Sequence, residues 1–179
     1  MNDSSSPTRV MVTGVAGRMG QEVLRAVTAA EDLEAVAGVD VLNDLSTVID
    51  VGAYPGLQLF KDISQAIKTT SPDVAVDFTN AESCMNNVGI MALAGINIVI
   101  GTTGLADADV SAINDLAIKS KIGVMIAPNF ALGAALLTHL SKISAPYFEY
   151  VDVHETHHEN KIDSPSGTAM AIVRHIENN

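Results

Sequence analysis

Proton-transferring residues are concentrated between Glu155 and Thr168. This stretch contains His157, His158 and Lys161 within five positions. Histidine exchanges protons near neutral pH, and a lysine beside it adds a positive charge that attracts an acid. The three residues therefore predict a cationic cluster that transfers protons to a small acidic molecule. A solvated polar loop, with histidines placed by chance, is the alternative.

The end of the same stretch predicts the start of a helix. Ser166 is a favourable N-cap residue, and Pro165 fixes the backbone just before it. A helix that begins at Gly167 presents its first backbone N–H groups to an anion, and the Thr168 hydroxyl adds a further donor. These residues predict a pocket for a carboxylate group.

A zinc-binding pattern also occurs here, because His154, Glu155 and His158 match His-Glu-x-x-His. That motif binds zinc on a helix, where the two histidines lie one turn apart on one face. Residues 147–153 alternate between apolar and polar side chains and predict a strand instead. We therefore expect no metal site.

A glycine-rich segment near the other end of the chain predicts a nucleotide site. It follows a predicted strand, opens a predicted helix and has the spacing Gly-x-x-Gly-x-x-Gly. Its residues are Gly14, Val15, Ala16, Gly17, Arg18, Met19 and Gly20. Glycine lets the backbone approach a pyrophosphate, whose charge the N–H groups of a helix N-terminus stabilise. A merely structural tight turn is the alternative.

Asp40 supports the nucleotide interpretation, because it ends the second predicted strand twenty positions after Gly20. A carboxylate there would accept hydrogen bonds from the ribose hydroxyl groups of the cofactor. The next residue, Val41, offers no positive charge for the 2′-phosphate of NADPH, although Arg18 could swing nearby. The sequence therefore favours NADH over NADPH.

Two further segments end predicted strands and are expected to flank the nicotinamide half of the cofactor. Sheets of this kind bind ligands at the carboxyl ends of their strands. The segments are Gly101, Thr102, Thr103 and Gly104, and Ala127, Pro128, Asn129 and Phe130. The ordinary loop chemistry of glycine and proline is the alternative for each.

The elements that carry these residues alternate between strand and helix about five times before Phe130. Strands are predicted at 9–13, 33–39, 73–78, 96–100 and 122–126, and helices at 18–30, from Asp62 through Ile67, from Asn80 to Gly95 and from a cap at Asp107. The strands are continuous apolar runs, as in a parallel sheet covered on both faces. The sequence therefore predicts a doubly wound α/β domain of the Rossmann type.

The pattern changes after Phe130. A helix over 131–144, a strand over 147–153 and a helix from Gly167 to the end are too few elements to enclose a core. We therefore expect three regions in the chain. These are a disordered tail over 1–8, a dinucleotide-binding domain over 9–130, and the beginning of an α+β substrate domain over 131–179.

The composition argues against several partners. The chain of 179 residues has a formal net charge of −11, which disfavours nucleic acid and anionic membranes. No apolar run is long enough to span a membrane, and the polar start lacks the apolar core of a signal peptide. The single cysteine, Cys84, excludes an internal disulfide and fits the reducing cytoplasm.

Together these motifs resemble the 4-hydroxy-tetrahydrodipicolinate reductase family, also called dihydrodipicolinate reductases. The most specific part is Glu-x-His-His-x-x-Lys-x-Asp-x-Pro-Ser-Gly-Thr-Ala, which begins at Glu155, and the resemblance runs from about Arg9 to the C-terminus. The family reduces a cyclic unsaturated dicarboxylate with NADH or NADPH, in the diaminopimelate route to lysine. The resemblance thus implies a cytoplasmic oxidoreductase that forms a homotetramer at full length.

The resemblance also implies a role for each motif residue. His157 would be the catalytic proton donor and acceptor and Lys161 a second proton donor, both acting on the ring as hydride arrives from the nicotinamide. His158, Gly167 and Thr168 would bind the substrate. The cofactor contacts would be Gly14, Val15, Ala16, Gly17, Arg18, Met19, Asp40, Gly101, Thr102, Thr103, Ala127, Pro128, Asn129 and Phe130.

Two departures from the family pattern matter for activity. Ser164 replaces the usual alanine, which is a small change. The family's substrate domain continues well past residue 179 and carries the sheet that builds the tetramer, so we expect a fragment or truncated product with low reductase activity. Two other classes stay open: a nucleotide-binding pseudoenzyme or regulatory module, and a different Rossmann dehydrogenase of the aspartate pathway, of the homoserine or aspartate-semialdehyde type.

Overall fold

The computed structural model describes residues 6–42, 44–127, 129–157, 159 and 165–177. The chain divides into two compact units, Met1–Ile126 and Ala127–Asn179. Of the predicted tail over 1–8, residues 1–5 lie outside the described part, and Thr8 already belongs to the first strand.

The first unit contains a six-stranded parallel sheet with the order β3-β2-β1-β4-β5-β6. Its strands are β1 (Thr8–Thr13), β2 (Leu33–Val39), β3 (Gln58–Phe60), β4 (Val74–Asp77), β5 (Asn97–Ile100) and β6 (Val124–Ile126). The order reverses between β1 and β4, so the loops after these strands border the crevice in which such sheets bind ligands. The predicted doubly wound α/β fold is confirmed.

Four helices connect these strands. They are α1 (Arg18–Ala29), α2 (Ile63–Thr70), α3 (Ala81–Leu93) and α4 (Asp107–Ser120). Asp62 and Asn80 cap α2 and α3 as predicted, each accepting a hydrogen bond from a backbone N–H three residues later. The predicted cap at Asp107 is wrong, because the N-cap of α4 is Ala106. The Asp109 carboxylate accepts a hydrogen bond from the Ala106 N–H instead.

The strand β3 does not follow from the sequence pattern. It has three residues, of which Gln58 is exposed, and it pairs with β2 only from Ala37 to Val39. The segment between β2 and β3 forms two short 3-10 helices, Leu45–Thr47 and Val51–Ala53. A run of three residues is too short to show the apolar pattern of a strand. In the structure, β3 nevertheless forms the edge of the sheet next to β2.

Buried side chains cover both faces of this sheet. Val10 and Val12 of β1 pack with Leu24 of α1 on one face. Met11, which points the opposite way along the strand, packs with Met91 of α3 and other buried residues on the second face. The strands are therefore buried on both sides, as the continuous apolar runs predict.

The second unit contains the helices α5 (Leu132–Ser144) and α6 (Gly167–Glu177), which pack against each other. A 3-10 helix, Ala145–Tyr147, follows α5. No residue of α5 is buried, whereas Ala169 and Ile172 of α6 are buried. Both helices begin within one residue of the predicted positions.

The predicted strand over residues 147–153 is wrong. Tyr147 belongs to the 3-10 helix, and residues 148–153 form neither strand nor helix. The alternation of apolar and polar side chains allows a strand to form only if a neighbouring strand accepts its hydrogen bonds. The described residues of the second unit include no such strand, so the pattern is left without a partner.

Candidate functional site

A cavity of about 380 Å³ opens at the carboxyl ends of β1, β2 and β4 in the first unit. Gly14 and Gly17 line it, together with Asp40 at the end of β2 and Lys61 after β3. The N-terminal part of α3 contributes a polar wall that includes Asn87. This cavity occupies the position at which a doubly wound sheet binds its ligand.

Two of the motif glycines are required by the backbone itself. Gly14 has φ +74°, and a Cβ atom there would lie 2.3 Å from the carbonyl oxygen of Phe78. A Cβ atom on Gly20 would lie 2.2 Å from the carbonyl oxygen of Gly14. The first glycine therefore permits the turn, and the second permits close packing of α1 against it.

The end of β2 holds the glycine loop in place. Gly14 and Val15 donate backbone hydrogen bonds to the Val39 carbonyl, at 2.9 and 3.3 Å. The Ala16 N–H donates to Oδ2 of Asp40 at 3.0 Å. A direct hydrogen bond thus joins the glycine segment to Asp40, which also lines the cavity.

The remaining loop residues differ in what they present to solvent. Val15 is fully buried in the core, so its backbone alone could meet a ligand. Gly17 is the N-cap of α1, and Arg18 and Met19 form its exposed first turn. The first N–H groups of a helix have no partner within the helix and are available to an anion.

A buried carboxylate joins three strand ends beneath this loop. Asp77, at the end of β4, accepts hydrogen bonds from the hydroxyls of Thr13 at 2.6 Å, Thr102 at 2.6 Å and Thr79 at 2.7 Å. The Asn87 side-chain amide donates a further bond at 2.9 Å. Thr13 immediately precedes the glycine loop, so Asp77 fixes the position from which the loop begins.

These hydrogen bonds decide the ionisation of Asp77. Burial by itself would raise its pKa, but the bonds from Thr102, Thr13, Asn87 and Thr79 outweigh burial, and the pKa lies below its ordinary value. Asp77 is therefore a buried anion held by neutral donors. Burial of the neighbouring Cys84, together with the charge of Asp77, raises the pKa of the Cys84 thiol to about 12.

The second predicted cofactor segment is tied to the same carboxylate. The Gly101 N–H donates to the Asp77 carbonyl at 2.9 Å, and the buried Thr102 hydroxyl donates to the Asp77 carboxylate. Thr103 is exposed. The structure therefore gives Thr102 a clear role in positioning and leaves Thr103 accessible to a ligand.

In the second unit, a carboxylate connects the histidine segment to the start of α6. Glu155 accepts hydrogen bonds from the backbone N–H of Ser166 at 2.7 Å and from its hydroxyl. The Ser166 hydroxyl in turn accepts from the Ala169 N–H at 3.1 Å, so the predicted N-cap hydrogen bond is present. Nδ1 of His157 lies 3.6 Å from Oε2 of Glu155.

Another contact within this unit joins two predicted site residues. The side-chain amide of Asn129 donates to the Thr168 hydroxyl at 3.0 Å, and its oxygen accepts from the Ala131 N–H at 2.7 Å. Asn129 thus links the start of α5 to the start of α6. Ala127 is buried, and Phe130 and Gly167 are exposed.

Three predicted site residues, Pro128, His158 and Lys161, lie outside the described part of the chain.

Residues 151–157 form no helix, which is the element that the zinc motif requires. Among the described residues there is no group of three or more metal-binding side chains. In the same residues, no helix is long and apolar enough to cross a membrane.

Three residues at these sites were missed from the sequence. Asp77 acts through a residue on another strand, Glu155 acts through a residue eleven positions away, and Lys61 lines the cavity. Only Glu155 had a local signal, since it stands two positions before His157 in a charged segment.

The first unit fits a dinucleotide. A glycine turn, the exposed first turn of a helix and a carboxylate at the end of the next strand together form the elements that hold a pyrophosphate and a ribose. The fold and this cavity define the unit as a Rossmann-type nucleotide-binding domain.

The comparisons with known proteins identify the family. The family model described as the N-terminus of dihydrodipicolinate reductase matches residues 8–130, and the model for the C-terminus matches residues 133–179. The chain belongs to the dihydrodipicolinate reductase family.

Individual relatives agree with this assignment. The chain is 39% identical to a 4-hydroxy-tetrahydrodipicolinate reductase of Dehalococcoides mccartyi over 94% of its own length. It is 40% identical to one of Desulfitobacterium hafniense, again over 94%. In both cases the chain spans 64% of the relative.

Solved structures show the same fold. Dipicolinate-bound dihydrodipicolinate reductase from Paenisporosarcina sp. TG-14 superposes with a TM-score of 0.80 at 34% identity, over 96% of this chain and 66% of that one. The WlbA dehydrogenase from Bordetella pertussis, in complex with NADH and UDP-GlcNAcA, gives a TM-score of 0.65 at 16% identity, over 80% of this chain and 40% of that one. The second likeness concerns the fold alone.

Proposed function

We propose that the chain binds a nicotinamide dinucleotide and provides residues for reducing 4-hydroxy-tetrahydrodipicolinate to tetrahydrodipicolinate, in the diaminopimelate route to lysine. Family membership supports the reaction. The observation that carries the cofactor site is the hydrogen bond between Asp40 and the Ala16 N–H, at a cavity bordered by the glycine turn. A bound nicotinamide would supply the hydride.

In this proposal the residues of the first unit bind and orient the dinucleotide. The first turn of α1 stabilises the pyrophosphate, and Asp40 accepts hydrogen bonds from the ribose hydroxyl groups. Val41 is exposed at the same edge and carries no charge that would attract a 2′-phosphate. We therefore propose that NADH binds more tightly than NADPH.

The second unit is proposed to bind the dicarboxylate and move protons. Gly167 and Thr168 lie in the first turn of α6, where backbone N–H groups favour a carboxylate. Ser166 caps that turn, and Asn129 holds the Thr168 hydroxyl. His157 would give or take a proton at its imidazole, with Glu155 orienting the ring, and His158 and Lys161 keep the roles implied by the family pattern.

Titration of the chain with NADH tests the cofactor site. We expect saturable binding with a stoichiometry of one, which Asp40→Ala weakens about tenfold because a carboxylate that binds two hydroxyl groups is lost. Asp50→Ala is the matched control, since Asp50 is an exposed carboxylate that caps a 3-10 helix away from the cavity. Absence of NADH binding to the wild-type chain would refute the cofactor assignment.

Dipicolinate tests the substrate site, since it is the dicarboxylate bound in the Paenisporosarcina structure. We expect the chain to bind it and Thr168→Ala to weaken that binding. NADH oxidation with synthase-generated substrate should be slow, because catalysis tolerates about half an ångström of error and residues 151–157 are exposed and irregular.

His157→Gln should lower that turnover by about two to four orders of magnitude and leave NADH affinity unchanged. Weakened NADH binding with normal turnover would remove His157 from its proposed role. NADH binding without any dicarboxylate binding would favour a nucleotide-binding module. The homotetramer and the cytoplasmic location implied by the family resemblance remain predictions.

A further inference from the structure

The cavity of the first unit contains a cation that the sequence pattern did not reveal. Lys61 follows the short strand β3 and lines the cavity together with Asp40 and Val41. We propose that Lys61 binds the 2′-phosphate of NADPH, so that the site accepts both dinucleotides. This inference rests on the proposed function, because it assigns a specificity residue within the same nucleotide site.

The strand register places Lys61 beside Asp40. Val39 of β2 pairs with Phe60 of β3, and the Asp40 N–H donates to the Phe60 carbonyl at 3.1 Å. Asp40 and Lys61 are therefore the next residues on two neighbouring parallel strands, which lie about 4.8 Å apart. Both leave the sheet at its carboxyl edge, where the ribose of a bound dinucleotide would lie.

The charges around this edge make Lys61 the deciding residue. A 2′-phosphate would meet the carboxylate of Asp40, and Asp62 lines the same cavity. Asp62 accepts a hydrogen bond from the Gln65 N–H at 2.7 Å as the cap of α2. Among the cavity-lining residues that the structure describes, Lys61 alone carries a positive charge.

The Lys61 ammonium group is also available to a ligand. Its side chain is exposed, and it takes part in none of the ion pairs found in the described part of the chain. Arg18, which the sequence suggested for this role, is not among the residues that line the cavity. Among the described residues that line the cavity, Lys61 is therefore the cation that could neutralise a phosphate at the ribose 2′ position.

The pair of probes 2′,5′-ADP and 5′-AMP isolates this contact, because they differ only in the 2′-phosphate. Calorimetric titration of the chain is carried out for wild type, Lys61→Ala, Lys61→Arg and the control Lys68→Ala. Lys68 is an exposed lysine in the last turn of α2, outside the cavity lining. NADH and NADPH are titrated in parallel.

We expect Lys61→Ala to weaken the binding of 2′,5′-ADP and of NADPH about fivefold, as the loss of an exposed ion pair does. Binding of 5′-AMP and NADH should change by less than about twofold, and Lys61→Arg should keep most of the wild-type affinity. The difference between wild type and Lys61→Ala should shrink as salt is added, because the contact is electrostatic.

Each other outcome overturns the inference in a recognisable way. If Lys61→Ala weakened the binding of 2′,5′-ADP and 5′-AMP equally, Lys61 would not recognise the 2′-phosphate. If Lys68→Ala weakened 2′,5′-ADP binding by the same factor, the effect would reflect the overall charge of the protein. Unchanged 2′,5′-ADP binding in Lys61→Ala would remove the residue from the site. Wild type that binds neither 5′-AMP nor NADH would refute the nucleotide site itself, which is a failure of the proposed function.

Discussion

The two units of the chain build their candidate sites in different ways. In the first unit, the glycine turn and Asp40 rest on a sheet buried on both faces, and Asp77 joins the strand ends below them. In the second unit, His157 is exposed on an irregular segment, and α5 has no buried residue. The first site rests on a core, whereas the described residues of the second site are joined by side-chain contacts of Glu155, Ser166 and Asn129.

This difference separates binding from catalysis. A dinucleotide is recognised largely by backbone groups, which the buried sheet positions rigidly. Proton transfer requires side chains to be placed within a fraction of an ångström. His157 lies 3.6 Å from the carboxylate of Glu155, which Ser166 in turn holds by hydrogen bonds. We expect the first unit to keep its function under conditions in which the second unit loses its own.

Hydrogen exchange should show the largest contrast. The amides of β1 and β4, in the centre of the sheet, should exchange at least about a thousandfold more slowly than those of residues 149–157, which are exposed and outside helix or strand. Mass spectrometry of exchanged peptides measures this directly. Equal protection of both segments would show that the second unit is as well supported as the first.

A substitution in the glycine turn should produce the next largest effect. Gly14→Ala places a Cβ atom 2.3 Å from the Phe78 carbonyl oxygen at a backbone φ of +74°. We expect the free energy of unfolding to fall by about 3 kcal/mol and NADH binding to be lost.

Gly89→Ala in α3 is the matched control, because a Cβ atom at this position would meet no atom within 4 Å outside its chain neighbours and the backbone of its own helix, and alanine favours a helix. It should leave stability unchanged or raise it by up to about 1 kcal/mol. Urea unfolding of both variants gives the comparison. A Gly14→Ala variant as stable as wild type would show that the turn can relax without loss.

The buried carboxylate gives a smaller, pH-dependent effect. Asp77→Asn replaces an acceptor of several hydrogen bonds by an amide and should cost about 2 kcal/mol at pH 7. Since the folded pKa of Asp77 lies below its ordinary value of 3.8, its contribution is full above that pH and is lost as the pH falls through the folded pKa.

Urea unfolding between pH 7 and pH 3 measures this dependence. The stability difference between wild type and Asp77→Asn should narrow at the acidic end. A difference that stays constant with pH would show that the pKa of Asp77 is the same in the folded and unfolded states, so that its ionisation adds no stability.

The sequence predicted most of the fold, because apolar runs and helix caps are local signals. The strand β2 has the predicted bounds, and Asp62 and Asn80 cap their helices. The strand β3 was missed since three residues carry little pattern. The strand predicted over 147–153 was wrong since alternation says nothing about whether a partner strand is present.

The candidate sites were predictable to a different degree. The glycine turn and Asp40 meet because they follow adjacent parallel strands, which the alternating pattern implies. Lys61 and Asp77 depend on the register and order of strands far apart in the chain, which a single sequence does not contain. The pairing of Asn129 with Thr168 likewise spans 39 positions and two helices.

The hydrogen bonds of Asp77 also bear on the order in which the first unit assembles. They reach 64 positions back to Thr13 and 25 positions forward to Thr102, so they require β1, β4 and β5 to be aligned already. Because closing such long loops costs entropy before the contacts can form, we expect these bonds to form late in folding. Removing them should then speed unfolding and leave the folding rate nearly unchanged. We therefore expect the cluster to govern the lifetime of the folded unit rather than the speed at which it forms.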